Sequence, residues 1–171
     1  LWLDIFQDGE QGPATSVRTI QNNLPIDCIA TLDVGSHRIT ASHVWKSRKP
    51  RTLLQSNGFS SMGVGLPMAI AIKLIAPQHC VVAICGDMGL WMSLGELGIV
   101  QERNLDLIVV YLCDKKLSLI DIKQQRDQDP HFGVSFDNPD VFHIASAFGG
   151  VGHRSSNAQE LGKIVSIAQL E

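Results

Sequence analysis

Apolar residues fall into short unbroken runs, separated by polar stretches that carry most of the glycine and proline. Asp27–Leu32 reads as a buried strand, Arg51–Gln55 as a brief one and Cys80–Cys85 as a clear one. Leu107–Cys113 (Leu-Ile-Val-Val-Tyr-Leu-Cys), rich in β-branched and aromatic residues, is the strongest strand in the chain. Between these runs lie segments with helical character: Ala14–Asn23 before Pro25, Ile39–Trp45, Met62–Ile75, Leu90–Arg103, Asp140–Phe148 and an amphipathic closing helix over Asn157–Leu170. The run from Met62 to Ile75 is too long for an ordinary strand, and Pro67 fits a helix only in its first turns. Val151–His153 reads as one more short strand, after a polar stretch with no assigned element.

Strands alternate with helices, and the best strands are apolar throughout. That pattern predicts a mostly parallel sheet covered on both faces, a three-layer α/β/α domain. Residues 1–13, with Gly9, Gly12 and Pro13, read as a linker or frayed start, and residues 14–171 as a single domain. A chain of 171 residues fits one domain able to bury roughly 70% of its unfolded surface.

Net charge is −3, which gives no reason to expect nucleic acid or an acidic membrane as a partner. No apolar run approaches the roughly 20 residues of a membrane span, and the opening residues carry no signal-peptide pattern. A cytoplasmic location is the expectation. The start at Leu1 rather than methionine suggests a processed product or a piece of something longer. Cys28, Cys80, Cys85 and Cys113 form no zinc-type spacing, and three of them sit in apolar strand-like runs; buried reduced thiols are expected.

The chemistry is suggested by position. Asp33, Asp87 and Asp114 each follow a predicted strand, and in open α/β sheets ligands bind outside the carboxyl ends of strands. Asp87 and Asp114 are one strand-helix-strand crossover apart, so on adjacent strands their ends would lie roughly 5 Å from each other. Two carboxylates that close repel unless a proton or cation intervenes, and magnesium, with its preference for oxygen, is the natural occupant. Gly86 and Gly89 flank Asp87 just before a helix, a turn at which backbone N–H groups can approach an anion. The pattern points to a metal-bridged phosphate or diphosphate; the alternative is ordinary loop and helix-cap aspartates.

Gly86-Asp87, followed 27 residues later by Asp114, resembles the thiamine-diphosphate motif of the acetolactate synthase, pyruvate decarboxylase and benzoylformate decarboxylase family. Other segments agree in order: Asp33-Val34-Gly35-Ser36-His37, the run Gly58 to Pro67 around Met62, Leu94-Gly95-Glu96-Leu97, and Ala145 to Gly149. The likeness is closest to acetolactate-synthase-like proteins and spans about residues 27–153. It implies magnesium-dependent binding of thiamine diphosphate by the C-terminal module of a 2-keto acid decarboxylase or carboligase, a lyase or transferase. It implies Asp87 and Asp114 as side-chain metal ligands and Lys116 as a ligand through its carbonyl. Gly35, Ser36, His37 and the backbone of Met88 and Gly89 would line the diphosphate, and Ser60 would lie beside the aminopyrimidine. Met62 would be the bulky residue that bends the cofactor, and Ser61 and Gly86 would also be cofactor-binding.

In that family an activating glutamate sits on a separate pyrimidine-binding module, on the same chain or a second subunit. The resemblance therefore implies no catalytic residue in this chain, an inactive isolated module and a homo-oligomeric assembly. Glu96 matches a helix position, not that glutamate. Two departures stand out: Met88 replaces the second glycine of the usual Gly-Asp-Gly, and Cys113-Asp114 replaces Asn-Asn. A left-handed backbone at Met88 would be strained. The competing readings are a Rossmann-type dinucleotide domain, built on Gly63-Val64-Gly65, and a non-catalytic relative of the thiamine-diphosphate module.

Overall fold

The computed structural model describes residues 12–170. The linker expected over residues 1–13 lies outside them except for Gly12 and Pro13, and Pro13 already opens the first helix. The elements run α1 (Pro13–Asn22), β1 (Ile29–Leu32), α2 (Ser36–Val44), β2 (Leu53–Gln55), α3 (Gly65–Ile75), β3 (Val81–Gly86) and α4 (Asp87–Met92). A short 3-10 turn (Leu94–Glu96), α5 (Leu97–Arg103), β4 (Ile108–Leu112), α6 (Ser118–Asp127), α7 (Val141–Ala147) and α8 (Ala158–Ile167) complete the described chain.

The four strands form one parallel sheet in the order β2-β1-β3-β4. Because the chain moves outward from β1 to β2 and then crosses back to β3, the order reverses between β1 and β3. That crevice is where open α/β sheets place ligands. One face of the sheet packs against α1, α2 and α8 through Val17, Ile20, Ala41, Val44, Leu32, Ile84 and Val165. The other packs against α3, α4 and α5 through Leu66, Ala69, Ile70, Ala83, Cys85 and Leu90. The three-layer α/β/α arrangement expected from the alternation of apolar runs is the one observed.

Helix ends follow the local chemistry. Pro13 supplies a preset φ where α1 needs no amide donor. Asn157 accepts from the Glu160 amide at 2.9 Å while Glu160 accepts from the Ser156 amide at 3.1 Å, a reciprocal cap that starts α8.

Several boundaries differ from expectation. Residues 151–153 form no strand, so β4 is the sheet edge among the described residues. The helix foreseen over Leu90–Arg103 begins at Asp87 and is broken at Ser93, whose hydroxyl bonds the carbonyls of Gly89 and Leu90 instead of continuing the ladder. The helix foreseen from Met62 starts at Gly65, and the one foreseen from Ile39 starts at Ser36. Helix α6 lies in the polar stretch to which no element was assigned; Leu119, Ile120 and Ile122 are exposed and Asp121 is its buried residue, so it has no apolar stripe to find. Of the cysteines, Cys28 and Cys85 are buried and Cys80 half-buried, but Cys113 is exposed because β4 stops before it; all four are free thiols.

Candidate functional site

Asp33, at the carboxyl end of β1, is fully buried. Its Oδ2 accepts from the Gly63 amide at 3.1 Å, and its Oδ1 from the amides of Val64 at 3.0 Å and Gly65 at 3.3 Å. These are the donors that the first turn of α3 leaves without helical partners. The third strand-end aspartate is thus the clamp that fixes where α3 begins. It also occupies the Gly63-Val64-Gly65 amides, so that stretch has no donors left for a dinucleotide phosphate, and no strand directly precedes it.

Asp33 explains a glycine as well. A Cβ on residue 89 would lie 1.8 Å from Asp33 Oδ2. Glycine is required at 89 by close approach. Met88 lies within α4 and is absent from the residues with positive φ, so the departure from Gly-Asp-Gly carries no left-handed strain.

Asp87 ends β3 and opens α4, with only 2% of its surface exposed. Its neighbour across the sheet is set by register: Gly86 pairs with Leu112, which brings the turn after β4 alongside. That turn reverses through Lys115, at φ 58°, and the Lys115 amide donates to Asp87 Oδ2 at 2.8 Å. The Met88 amide donates to Oδ1 at 2.9 Å, and Asn138 Nδ2 to Oδ2 at 3.0 Å. Hydrogen bonds from fixed donors hold the buried charge in place. Asn138 also donates to Cys113 Sγ at 2.9 Å and accepts from Trp91 Nε1 at 2.8 Å, and Trp91 packs on Tyr111 with ring centroids 5.7 Å apart.

Asp114 is exposed. Its carboxylate accepts from the Lys116 amide at 3.1 Å and from the Ser118 hydroxyl, tying the turn to the start of α6. Lys116 extends its ammonium to Asp121, 3.4 Å away, and Asp121 also meets His131 Nδ1 at 2.6 Å. His131 first, then Lys116, holds the Asp121 carboxyl below its ordinary range.

His37 sits in the first turn of α2, at the reversal between β1 and β3. Its ring lies against residues 35 and 86, where a Cβ would approach to 2.7 Å and 3.2 Å respectively, so glycine at both positions makes room for it. The ring is 6% exposed, its Nε2 is buried with no partner among the described residues, and burial lowers its pKa. From the next position of α2, Arg38 Nη1 donates to the Ser56 carbonyl and Ser60 Oγ, tying the helix to the loop that leads to Met62. Met62 is half-buried, in a turn ahead of α3, and belongs to neither apolar cluster.

Of the residues singled out in the sequence, Gly35, Ser36 and His37 follow β1, Gly86, Asp87, Met88 and Gly89 end β3 and open α4, and Asp114 and Lys116 follow β4. The carboxyl ends of three neighbouring parallel strands thus bring them to one edge of the sheet. Ser60 and Met62 lie in the loop before α3. Ser61, in the same loop, is exposed. The residues that sequence reasoning missed are Asn138, Arg38 and Asp33 in its clamping role; each acts over a long sequence separation, so no local pattern marks it. Among the described residues no three His, Cys, Asp or Glu side chains converge as a metal cage. A divalent ion here would draw on two carboxylates and a backbone carbonyl, a set that fits magnesium, which keeps water and phosphate oxygens in its shell.

Residues 33–170 match the family described as thiamine pyrophosphate enzyme, C-terminal TPP binding domain. The large subunit of acetolactate synthase isozyme 2 from Escherichia coli (strain K12) is 33% identical over 135 residues, covering 78% of this chain and 25% of that protein. Acetolactate synthase from Bacillus subtilis (strain 168) is 29% identical over 170 residues, covering 94% of this chain and 30% of the relative. The catabolic acetolactate synthase of Raoultella terrigena is 32% identical over 149 residues, covering 87% and 27%. The chain therefore spans between a quarter and a third of the length of these relatives.

Proposed function

This chain belongs to the thiamine pyrophosphate enzyme family, as a C-terminal TPP binding domain, and from that membership we propose that it holds thiamine diphosphate through magnesium at the carboxyl ends of β1, β3 and β4. The observation that carries the reading is Asp87, a buried carboxylate anchored by the Lys115 amide of the turn that follows the neighbouring parallel strand. Asp87 and Asp114 supply side-chain oxygens to the metal, and Lys116 its backbone carbonyl. Gly35, Ser36 and His37 line the diphosphate, with Gly86 and the backbone of Met88 and Gly89 on the β3 side. The unpartnered Nε2 of His37, as the N–H tautomer, is a donor suited to a phosphate oxygen. Met62 provides the bulk against which the cofactor bends, and Ser60 belongs to the aminopyrimidine side.

Bound there, thiamine diphosphate supplies the nucleophilic carbon and electron sink for 2-keto acid decarboxylation and carbon–carbon bond formation. The chain's own work is to bind and orient the diphosphate end and to hold the metal. The activating glutamate belongs to a pyrimidine-binding module on a longer form of the chain or on a second subunit, so the isolated chain is inactive. The complete enzyme is an acetolactate-synthase-like homo-oligomer of the cytoplasm. The relatives' names support the acetolactate-synthase likeness, and their three- to fourfold greater length leaves room for the further module.

Calorimetric titration of the longest native form with thiamine diphosphate, with and without magnesium, tests the reading. Saturable binding that requires the metal is expected. Equal binding without metal, or none in its presence, overturns it.

A further inference from the structure

At the opposite end of the sheet, Cys28 immediately precedes β1 and Cys80 immediately precedes β3. The two strands are parallel neighbours with Ile29 in register with Val81, and the Ile29 amide donates to the Cys80 carbonyl at 2.9 Å. Register partners in a parallel pair point to the same face, and both cysteines face the cluster formed with α1, α2 and α8. Adjacent strands lie about 4.8 Å apart, inside the roughly 4.4–6.8 Å separation of Cα atoms that a disulfide bridges. Both are free thiols here. From this pairing we infer that Cys28 and Cys80 form a covalent modification site, a reversible disulfide made by reaction with a hydroperoxide.

The two sulfurs are not equivalent. Cys28 is 3% exposed, whereas Cys80 is half-buried. The Lys73 ammonium, 7% exposed and donating to the His79 carbonyl at 2.9 Å, adds a positive charge whose field favours ionisation of both thiols. Cys80, the more accessible sulfur, is the one a peroxide reaches first; contact with Cys28 lowers its pKa, against desolvation by burial. Asp27 opposes ionisation of both thiols. Cys80 is therefore the attacking thiolate and Cys28 the resolving thiol.

The step balances. The Cys80 thiolate attacks one peroxide oxygen, the O–O bond breaks, and hydroxide (or alkoxide) leaves with Cys80 as the sulfenic acid. The Cys28 sulfur then displaces the sulfenic oxygen, which leaves as water with the Cys28 proton. Two thiols are oxidised by two electrons in all, and the peroxide is reduced. A dithiol reverses it.

Exposing the full chain to hydrogen peroxide, alkylating residual thiols and mapping peptides by mass tests the site. The expected result is one linked peptide pair joining Cys28 to Cys80, lighter by two hydrogens and separated by dithiothreitol, with Cys85 alkylated after denaturation. Cys80→Ser removes the link and leaves Cys28 alkylated; Cys28→Ser leaves Cys80 as a sulfenic acid that a dimedone probe captures. Recovery of both cysteines alkylated as fully as in untreated protein, while the exposed Cys113 is oxidised, overturns the inference. So does a Cys80 carried to sulfinic acid with Cys28 still reduced.

Discussion

The Lys115 amide reaches across from the end of β4 to the Asp87 carboxylate at 2.8 Å, and so joins the ends of two neighbouring parallel strands through one buried charge. Removing that charge should act on the site more than on the fold. Asp87→Asn keeps the side-chain shape and is expected to unfold within about 1–3 kcal/mol of wild type in denaturant titration. Magnesium-dependent binding of thiamine diphosphate is expected to vanish in Asp87→Ala by calorimetry. Undiminished binding in Asp87→Ala removes Asp87 from the metal.

Asn138 is expected to be a positioning residue for Asp87, because it bonds Oδ2 at 3.0 Å while Trp91 fixes its own orientation. Asn138→Ala should raise the magnesium concentration needed for half-maximal cofactor binding several-fold and shift the Trp91 indole N–H resonance. An unchanged metal requirement would show that the contact plays no part in binding.

Asp33→Ala strips the partner from three amides at the start of α3. A loss on the order of 3 kcal/mol is expected in denaturant unfolding. Gly89→Ala pushes a methyl group into the same carboxylate and should cost about 1–3 kcal/mol. Met88→Gly touches no such contact and should lose only about 1 kcal/mol, the price of helix propensity. If Met88→Gly stabilises the chain, the account of this turn is wrong.

His37 sets a pH dependence with a definite sign. Burial lowers its pKa in the folded chain, so the unfolded chain binds the proton more readily. The neutral ring's contribution is complete above the unfolded value of about 6.5 and is lost as pH falls toward the folded value. The denaturation midpoint of wild type should therefore fall more steeply than that of His37→Gln as pH is lowered from 7 to 5. Parallel curves would contradict a buried neutral imidazole.

How much of this could be read from the sequence depended on whether a feature is local. Cys80–Cys85 and Leu107–Cys113 announce buried strands by continuous apolar character, and they give the parallel α/β class at once. Asp87 and Asp114 were visible as strand-end carboxylates because each follows such a run directly. Helix α6 was invisible because its apolar residues face outward, and the strand read into Val151–His153 is not formed. Asn138 was illegible: its partners Asp87 and Trp91 are far away in sequence, and only folding brings them together. Asp33 follows a strand just as Asp87 does, yet its oxygens are taken up by the amides at the start of α3. Met88 looked like a defect because a motif glycine was missing, whereas the position that admits no side chain is Gly89.

The central claim is that Asp87 and Asp114 share a divalent ion. Anomalous diffraction from crystals grown with manganese in place of magnesium, together with thiamine diphosphate, tests it most directly. The account predicts one manganese peak bonded to a carboxylate oxygen of each residue and to the diphosphate. A manganese ion bound elsewhere, with Asp87 still bonded only to the amides of Met88 and Lys115 and to Asn138, would contradict it.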